Sequence, residues 1–153
     1  MTQNKLKTTL CMLITMVHAS AFAQGVIQPG KWELRGTFKG IPFASSDERV
    51  RTACLTDADF GEMPEKALIE ASPPPSGDAK QSAPPKCEYS QLVREPGRSS
   101  WAAKCESPKM NGVGNATITS PEQIDILEKM EVKVFGSRSI QHTIHARRLG
   151  DCS

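Results

Sequence analysis

Residues 137–152 read SRSIQHTIHARRLGDC, and this stretch decides the fold class of the chain. Polar and apolar side chains alternate along it, which is typical of a half-buried β-strand. The residues on the mainly apolar side of this alternation are Ile140, His142, Ile144 and Ala146. The stretch closes on Cys152, where a disulfide would attach the chain to another strand. The pattern therefore predicts a sheet whose final strand is fastened to the rest of the domain.

The same period of two occurs at the other end of the domain. Residues 31–39 place four residues on one face, namely Trp32, Leu34, Gly36 and Phe38. After a turn at Gly40-Ile41-Pro42, residues 46–55 alternate in the same way and predict a second strand.

The period changes after the second strand. Thr56 can cap a helix, and a proline is tolerated at the first helical position. We expect a short turn and then a helix from Pro64 to Ala71, with Leu68 against the sheet. Residues 72–86, SPPPSGDAKQSAPPK, contain no large apolar side chain, so we interpret this segment as a mobile loop.

Residues 87–106 predict a hairpin that turns at Pro96-Gly97. A register centred on Pro96 sets Cys87 across from Cys105. It gathers Tyr89, Gln91 and Val93 on the face of Trp101 and Ala103. A tight two-residue loop would shift the pairing by one and place the two sulfurs on opposite faces. The hydrophobic pattern therefore predicts a longer or bulged loop around residues 94–98.

Five cysteines occur in the chain, and four of them follow the leader described below. Four cysteines in an exported chain favour two disulfides, with three possible pairings. A zinc site is the alternative, but the spacing contains no close C-x-x-C pair. If the hairpin register joins Cys87 to Cys105, then Cys54 pairs with Cys152.

Two further strands complete the predicted sheet. Asn111-Gly112 indicates a turn and residues 113–119 a strand; another turn follows at Ser120-Pro121. Residues 123–135 fit a strand better than a helix, with an expected bulge near Glu128, which interrupts the apolar parity. A two-residue turn at Gly136-Ser137 would set Val132 opposite Gln141, so the connection must be bulged or longer to set Val132 opposite Ile140.

Residues 1–23 have the pattern of a cleaved signal peptide, with lysines, a short apolar run and Ala21-Phe22-Ala23 before the cut. The apolar run is too short to span a bilayer, and we expect a periplasmic or secreted protein that is not stably inserted in a membrane. Cleavage after Ala23 leaves 17 basic and 17 acidic residues, which argues against nucleic acid as a partner. Residues 24–153 have the length of a single domain.

No arrangement of residues predicts catalysis. His142 and His145 are three positions apart, and because this offset is odd they point to opposite faces of a strand and do not share a metal. No nucleophile lies in a catalytic motif, and no glycine-rich phosphate loop is present in its strand-to-helix context. We therefore expect a protein that is not an enzyme and has no metal or cofactor.

Arg147 and Arg148 admit two interpretations. They form an anion or partner contact, or Arg148 folds its stem along the mouth of the barrel while Arg147 stays in water. We favour the second interpretation because Arg148 has the apolar parity of the strand.

Several of these motifs together resemble one family. They are Pro29-Gly30-Lys31-Trp32-Glu33, Cys54-Leu55-Thr56, the pair Cys87 and Cys105, and the ending Arg147-Arg148-Leu149-Gly150-Asp151-Cys152. The combination resembles the bacterial domain-of-unknown-function family 3617. The resemblance implies a small, mostly β, exported protein of Gram-negative bacteria with no established activity.

The sequence thus predicts about seven antiparallel strands in an up-and-down sheet, curled into a barrel or half-barrel, with one short helix. The function that we expect is binding of a small apolar ligand inside the curl. The expected lining is Trp32, Leu34, Phe38, Tyr89, Trp101, Ile140, Ile144 and Arg148. The alternative is an envelope interaction or structural module that meets a partner protein through the proline-rich loop or an exposed strand edge.

Overall fold

The computed structural model describes residues 26–41, 46–75, 85–106, 108–133 and 136–152. These residues form seven antiparallel strands and two short helices. In chain order the elements are β1 (Gly30–Lys39), β2 (Arg49–Leu55), α1 (Asp57–Phe60), α2 (Pro64–Ala71), β3 (Cys87–Glu95), β4 (Arg98–Glu106), β5 (Lys109–Ser120), β6 (Gln123–Lys133) and β7 (Ser137–Gly150). The mainly β class and α2 are confirmed, and α1 replaces a predicted turn. The predicted leader and residues 76–84 of the proline-rich loop lie outside the described residues.

The strand order across the sheet is β2-β1-β7-β6-β5-β4-β3. The final strand β7 therefore lies inside the sheet, between β1 and β6. The edges are β2 and β3, which are consecutive in sequence but do not pair with each other in the described part of the chain. The sheet is therefore not closed into a barrel. Both helices lie in the connection between these two edge strands.

Both edges of the sheet contact the segment that contains α2. Arg94 on β3 donates to Glu65 of α2 at 2.9 Å, and Arg49 on β2 donates to the carbonyl of Pro74 at 3.4 Å. The side of the sheet that faces α2 is called the inner face below, and the opposite side the outer face.

The β3–β4 hairpin differs from its predicted loop. Cys87 lies across from Cys105 as predicted, but Glu95 pairs with Arg98, so Pro96-Gly97 is a two-residue turn. The extra residue lies further back, where the register shifts between Ser90 and Val93 and Gln91 adopts a φ of 53°. The bulge therefore corrects the register inside the strand rather than at the turn.

This bulge reverses the faces of the residues that follow it. Val93 pairs with Ser100 on the outer face, whereas Arg94 pairs with the buried Ser99 on the inner face. The predicted inward position of Val93 is therefore wrong. Arg94 points inward instead and meets α2.

The later strands confirm most of the predicted pattern. The connection between β6 and β7 is longer than two residues, as predicted, but Val132 lies opposite Arg138, and Met130 takes the predicted place opposite Ile140. Asn111-Gly112 is not a turn, because both residues lie within β5 and pair with β4 and β6. The expected bulge near Glu128 is also wrong: β6 pairs in regular register there, and Glu128 points inward.

Both disulfides are formed as predicted. Cys87–Cys105 joins the edge strand β3 to β4 over a sequence separation of 18. Cys54–Cys152 joins the edge strand β2 to the end of β7 over a separation of 98. Because β1 lies between β2 and β7, the second bond ties three neighbouring strands together.

The core fills the part of the inner face where β1 begins and β7 ends. Trp32, Leu34, Ile124 and Ile144 are fully buried, and Leu68 of α2 packs among them as predicted. Phe60 of α1 contacts Trp32 edge-on at a centroid distance of 6.4 Å. Within the described residues, neither helix has the length and apolar character that crossing a membrane requires.

Candidate functional site

Five residues lie side by side across the inner face, one on each of five neighbouring strands. They are Trp101, Gly114, Glu128, His142 and Phe38, which pair in that order across β4, β5, β6, β7 and β1. We call this set the transverse row. It carries two of the buried polar side chains of the domain, Glu128 and His142, so it is the candidate functional site.

The centre of the row is a buried carboxylate. Glu128 is 6% exposed, and its Oε1 accepts a hydrogen bond of 3.3 Å from Trp101 Nε1. Between them lies Gly114, where a Cβ would overlap the Trp101 indole. Glycine therefore lets the ring lie against the strand and reach the carboxylate.

His142 connects this carboxylate to α2. Its Nδ1 lies 3.7 Å from Glu128 Oε2, which is beyond hydrogen-bond distance. Its Nε2 lies 3.4 Å from Ser72 Oγ, just after the helix. Its ring stacks on Phe38 with a centroid separation of 4.0 Å. The imidazole is thus enclosed by the sheet on one side and by the end of α2 on the other.

Ser72, His142 and Glu128 occur in the spatial order of a Ser-His-acid triad. The Ser72 hydroxyl, however, is buried and donates to the carbonyl of Ile69 at 2.7 Å. An activated nucleophile needs its proton directed to the base and its oxygen open to substrate. We therefore interpret the arrangement as a structural connection between α2 and the sheet.

A second buried carboxylate holds the other end of α2. Glu65 is 0% exposed and accepts hydrogen bonds from Arg94 at 2.9 and 3.2 Å. Ser99 Oγ donates a third bond of 2.6 Å to it. The Glu65 carboxylate therefore has a cationic partner, Arg94, and accepts three hydrogen bonds, so its burial is compensated.

The next row leads toward the basal end of the inner face, where β1 ends and β7 begins. It consists of Tyr89, Ala103, Gly112, Met130 and Ile140. Tyr89 and Ile140 are half-buried, in contrast to the core above them. Burial raises the pKa of the Tyr89 phenol, and the negative charges of Glu128 and then Glu70 raise it further. The basal end is therefore apolar and partly open.

The predicted ligand lining divides into two groups. Four of its residues have almost no exposed surface and belong to the packed core: Trp32, Leu34, Trp101 and Ile144. Three retain exposed surface at the basal end: Phe38, Tyr89 and Ile140. A ligand that enters this conformation meets the second group and not the first.

Arg148, the last predicted lining residue, lies at the opposite end of the sheet. Its Nε donates to the carbonyl of Pro29 at 2.8 Å, and its other nitrogens contact Glu122 and Asp151. Arg147 stays exposed on the outer face. The barrel mouth that the favoured interpretation assigned to Arg148 is not shown; Arg148 instead ties the N-terminal segment to the end of the chain.

The outer face carries a separate polar depression. His145 lies there, and its Nδ1 is 2.6 Å from Asp125 Oδ1. Because His142 lies on the inner face, the two histidines point to opposite sides, as predicted.

The family model for proteins of unknown function named DUF3617 matches residues 27–152. The chain belongs to this family. The match covers the whole sheet of this DUF3617 protein, both disulfides and the transverse row. No curated protein and no solved structure matches the chain significantly.

Sequence reasoning missed the two buried carboxylates of this DUF3617 chain. The signal for Glu128 was its position among the apolar residues on one face of β6. This acid was interpreted as the sign of a bulge. The signal for Glu65 was weaker, because an acid in the first turn of a helix is ordinary. Arg94 was missed because the bulge at Gln91 has no distinct sequence pattern.

Proposed function

We propose that this protein is a non-enzymatic, exported binding protein that holds a small, mainly apolar ligand at the basal end of its inner face. The observation that carries the proposal is the difference in exposure along that face. Phe38, Tyr89 and Ile140 remain partly open next to a buried polar row, whereas the core above them is closed. Small-molecule sites typically combine apolar walls with a few polar groups.

The two disulfides support export, because such bonds form and persist in oxidising compartments. Periplasmic location further rests on the predicted signal peptide.

The alternative, a partner chain added at a sheet edge, has less support. β3 is interrupted by the bulge at Gln91, and its Arg94 points inward. The seven-residue β2 carries Arg49 and Arg51 on the inner face. Bulges, short strands and inward charges are features that oppose strand addition at an edge.

Titration with the neutral fluorophore N-phenyl-1-naphthylamine tests the site. We expect saturable binding to the wild-type protein. The variant Ile140→Ser should bind about ten-fold more weakly, since it removes apolar contact worth about 1.4 kcal/mol. The matched control is Val113→Ser, because Val113 is exposed on the outer face and its loss should leave binding unchanged.

Native mass spectrometry of the protein from its own host adds a second readout. A retained small molecule supports the proposal, whereas a co-purifying protein favours the interaction module. Equal affinity of the two serine variants, or no saturable binding by the wild type, would contradict the proposed site.

A further inference from the structure

The two buried carboxylates of the inner face are satisfied to different degrees. Glu65 receives three hydrogen bonds, two of them from the cationic Arg94. Among the described residues, Glu128 receives one, from the neutral indole of Trp101 at 3.3 Å. An ionised carboxylate accepts up to about four hydrogen bonds and is costly to bury without a charged partner.

The second oxygen of Glu128 receives no hydrogen bond from the described residues. Glu128 is 6% exposed, so a small part of the residue is open to solvent. His142 Nδ1 lies 3.7 Å from Oε2, which is too far for a hydrogen bond, although a protonated imidazole at this distance would form an ion pair with the carboxylate.

An ionised Glu128 favours a cationic ligand group, because no permanently charged cation among the described residues pairs with it. Trp101 gives only its N–H to the carboxylate, and the rings of Phe38 and His142 stack on each other. Tyr89 lies in the neighbouring row. These rings supply apolar walls, and the carboxylate supplies the charge that attracts an ammonium group.

We infer that the ligand of the basal end carries a positively charged amine, whose ammonium group donates to Glu128 Oε2 while its apolar body lies against Phe38, Tyr89 and Ile140. This inference rests on the proposed function. It gives Glu128 the charged partner that Arg94 provides for Glu65.

Three octyl compounds that differ only in their head group test the inference: octylammonium, octanol and octanoate, measured by calorimetry at neutral pH. We expect octylammonium to bind at least about ten-fold more tightly than octanoate and octanol, with a preference that weakens as salt is added. Equal or tighter binding of octanol or octanoate would overturn the amine inference but leave the apolar site intact. Failure of all three to bind would instead remove the proposed function.

The variant Glu128→Gln keeps the shape of the side chain and removes its charge. It should lose the preference for octylammonium and retain the binding of octanol. Glu131→Gln is the control, because Glu131 is exposed on the outer face of the same strand. An unchanged preference in Glu128→Gln would overturn the inference. If that variant does not fold, the head-group and salt series on the wild type decides.

Discussion

At the scale of single residues, the ion pair between Arg94 and Glu65 makes a strong prediction. Replacing Arg94 with alanine leaves the fully buried Glu65 without its cation. We expect a loss of about 2–4 kcal/mol in the free energy of unfolding, somewhat reduced because Arg94 itself is partly exposed. Urea unfolding measures it. The exposed neighbour Arg98→Ala is the control, and a loss below about 0.5 kcal/mol in Arg94→Ala would contradict the pairing.

Gly114 makes the second residue-scale prediction. In Gly114→Ala the new methyl group overlaps the Trp101 indole, so the ring must move away from the strand. We expect a loss of about 1–3 kcal/mol and a shift of the tryptophan emission as the indole leaves Glu128. Asn115→Ala, exposed on the outer face, should change neither. Wild-type emission and stability in Gly114→Ala would show that the ring does not lie over this glycine.

At the scale of elements, the start of α1 depends on ionisation. The backbone N–H and the hydroxyl of Thr56 both donate to Asp59 Oδ2, at 2.8 and 2.7 Å. These bonds, the backbone one first, lower the pKa of Asp59. Folding therefore favours the ionised form. The resulting stability is present above about pH 4 and is lost as pH falls through the lowered pKa of the folded protein.

Asp59→Ala should accordingly be less stable than the wild type at pH 7, and the difference should shrink below pH 3. Urea midpoints at several pH values measure this dependence. Asp57→Ala serves as the control within the same first turn. A difference that stays constant from pH 7 to pH 2.5 would show that the Asp59 charge does not hold the cap.

The elements differ in how far sequence alone predicts them. Period-two alternation identified the inner face of β7 and β1, because burial on one side of a strand leaves a strong pattern. It misplaced the β3 bulge, because Gln91 at positive φ has no composition signal of its own. The alternation pattern also predicted a bulge at Glu128, because the pattern depends only on which residues are hydrophobic. It gives no information about Trp101, whose hydrogen bond helps a buried Glu128 to be tolerated.

At the scale of the whole molecule, the two disulfides should differ in reactivity. Cys54 and Cys152 are both exposed, whereas Cys105 is 2% exposed. Thiol exchange requires access to the sulfur, so mild reduction of the folded protein should open Cys54–Cys152 at least about ten-fold faster. Timed alkylation and peptide mapping measure both rates. Equal rates, or faster opening of Cys87–Cys105, would contradict the described burial.

Whole-molecule topology was only partly accessible from the sequence. The covalent attachment of the last strand was predicted from Cys152, and its partner Cys54 followed from the hairpin register. Closure of the sheet was not predictable in this way, because alternation is the same in an open and a closed sheet. The gap between β2 and β3 depends on where α2 packs, and that position is fixed by Glu65 and Arg94.

Methyl NMR during titration with octylammonium and octanol tests the central claim, that the basal end of the inner face is a ligand site. The account predicts saturable shifts at the methyl groups of Ile140 and Met130, and unchanged signals from Val113 on the outer face. Shifts confined to the outer-face methyl groups, or no saturable shift with either compound, would contradict it.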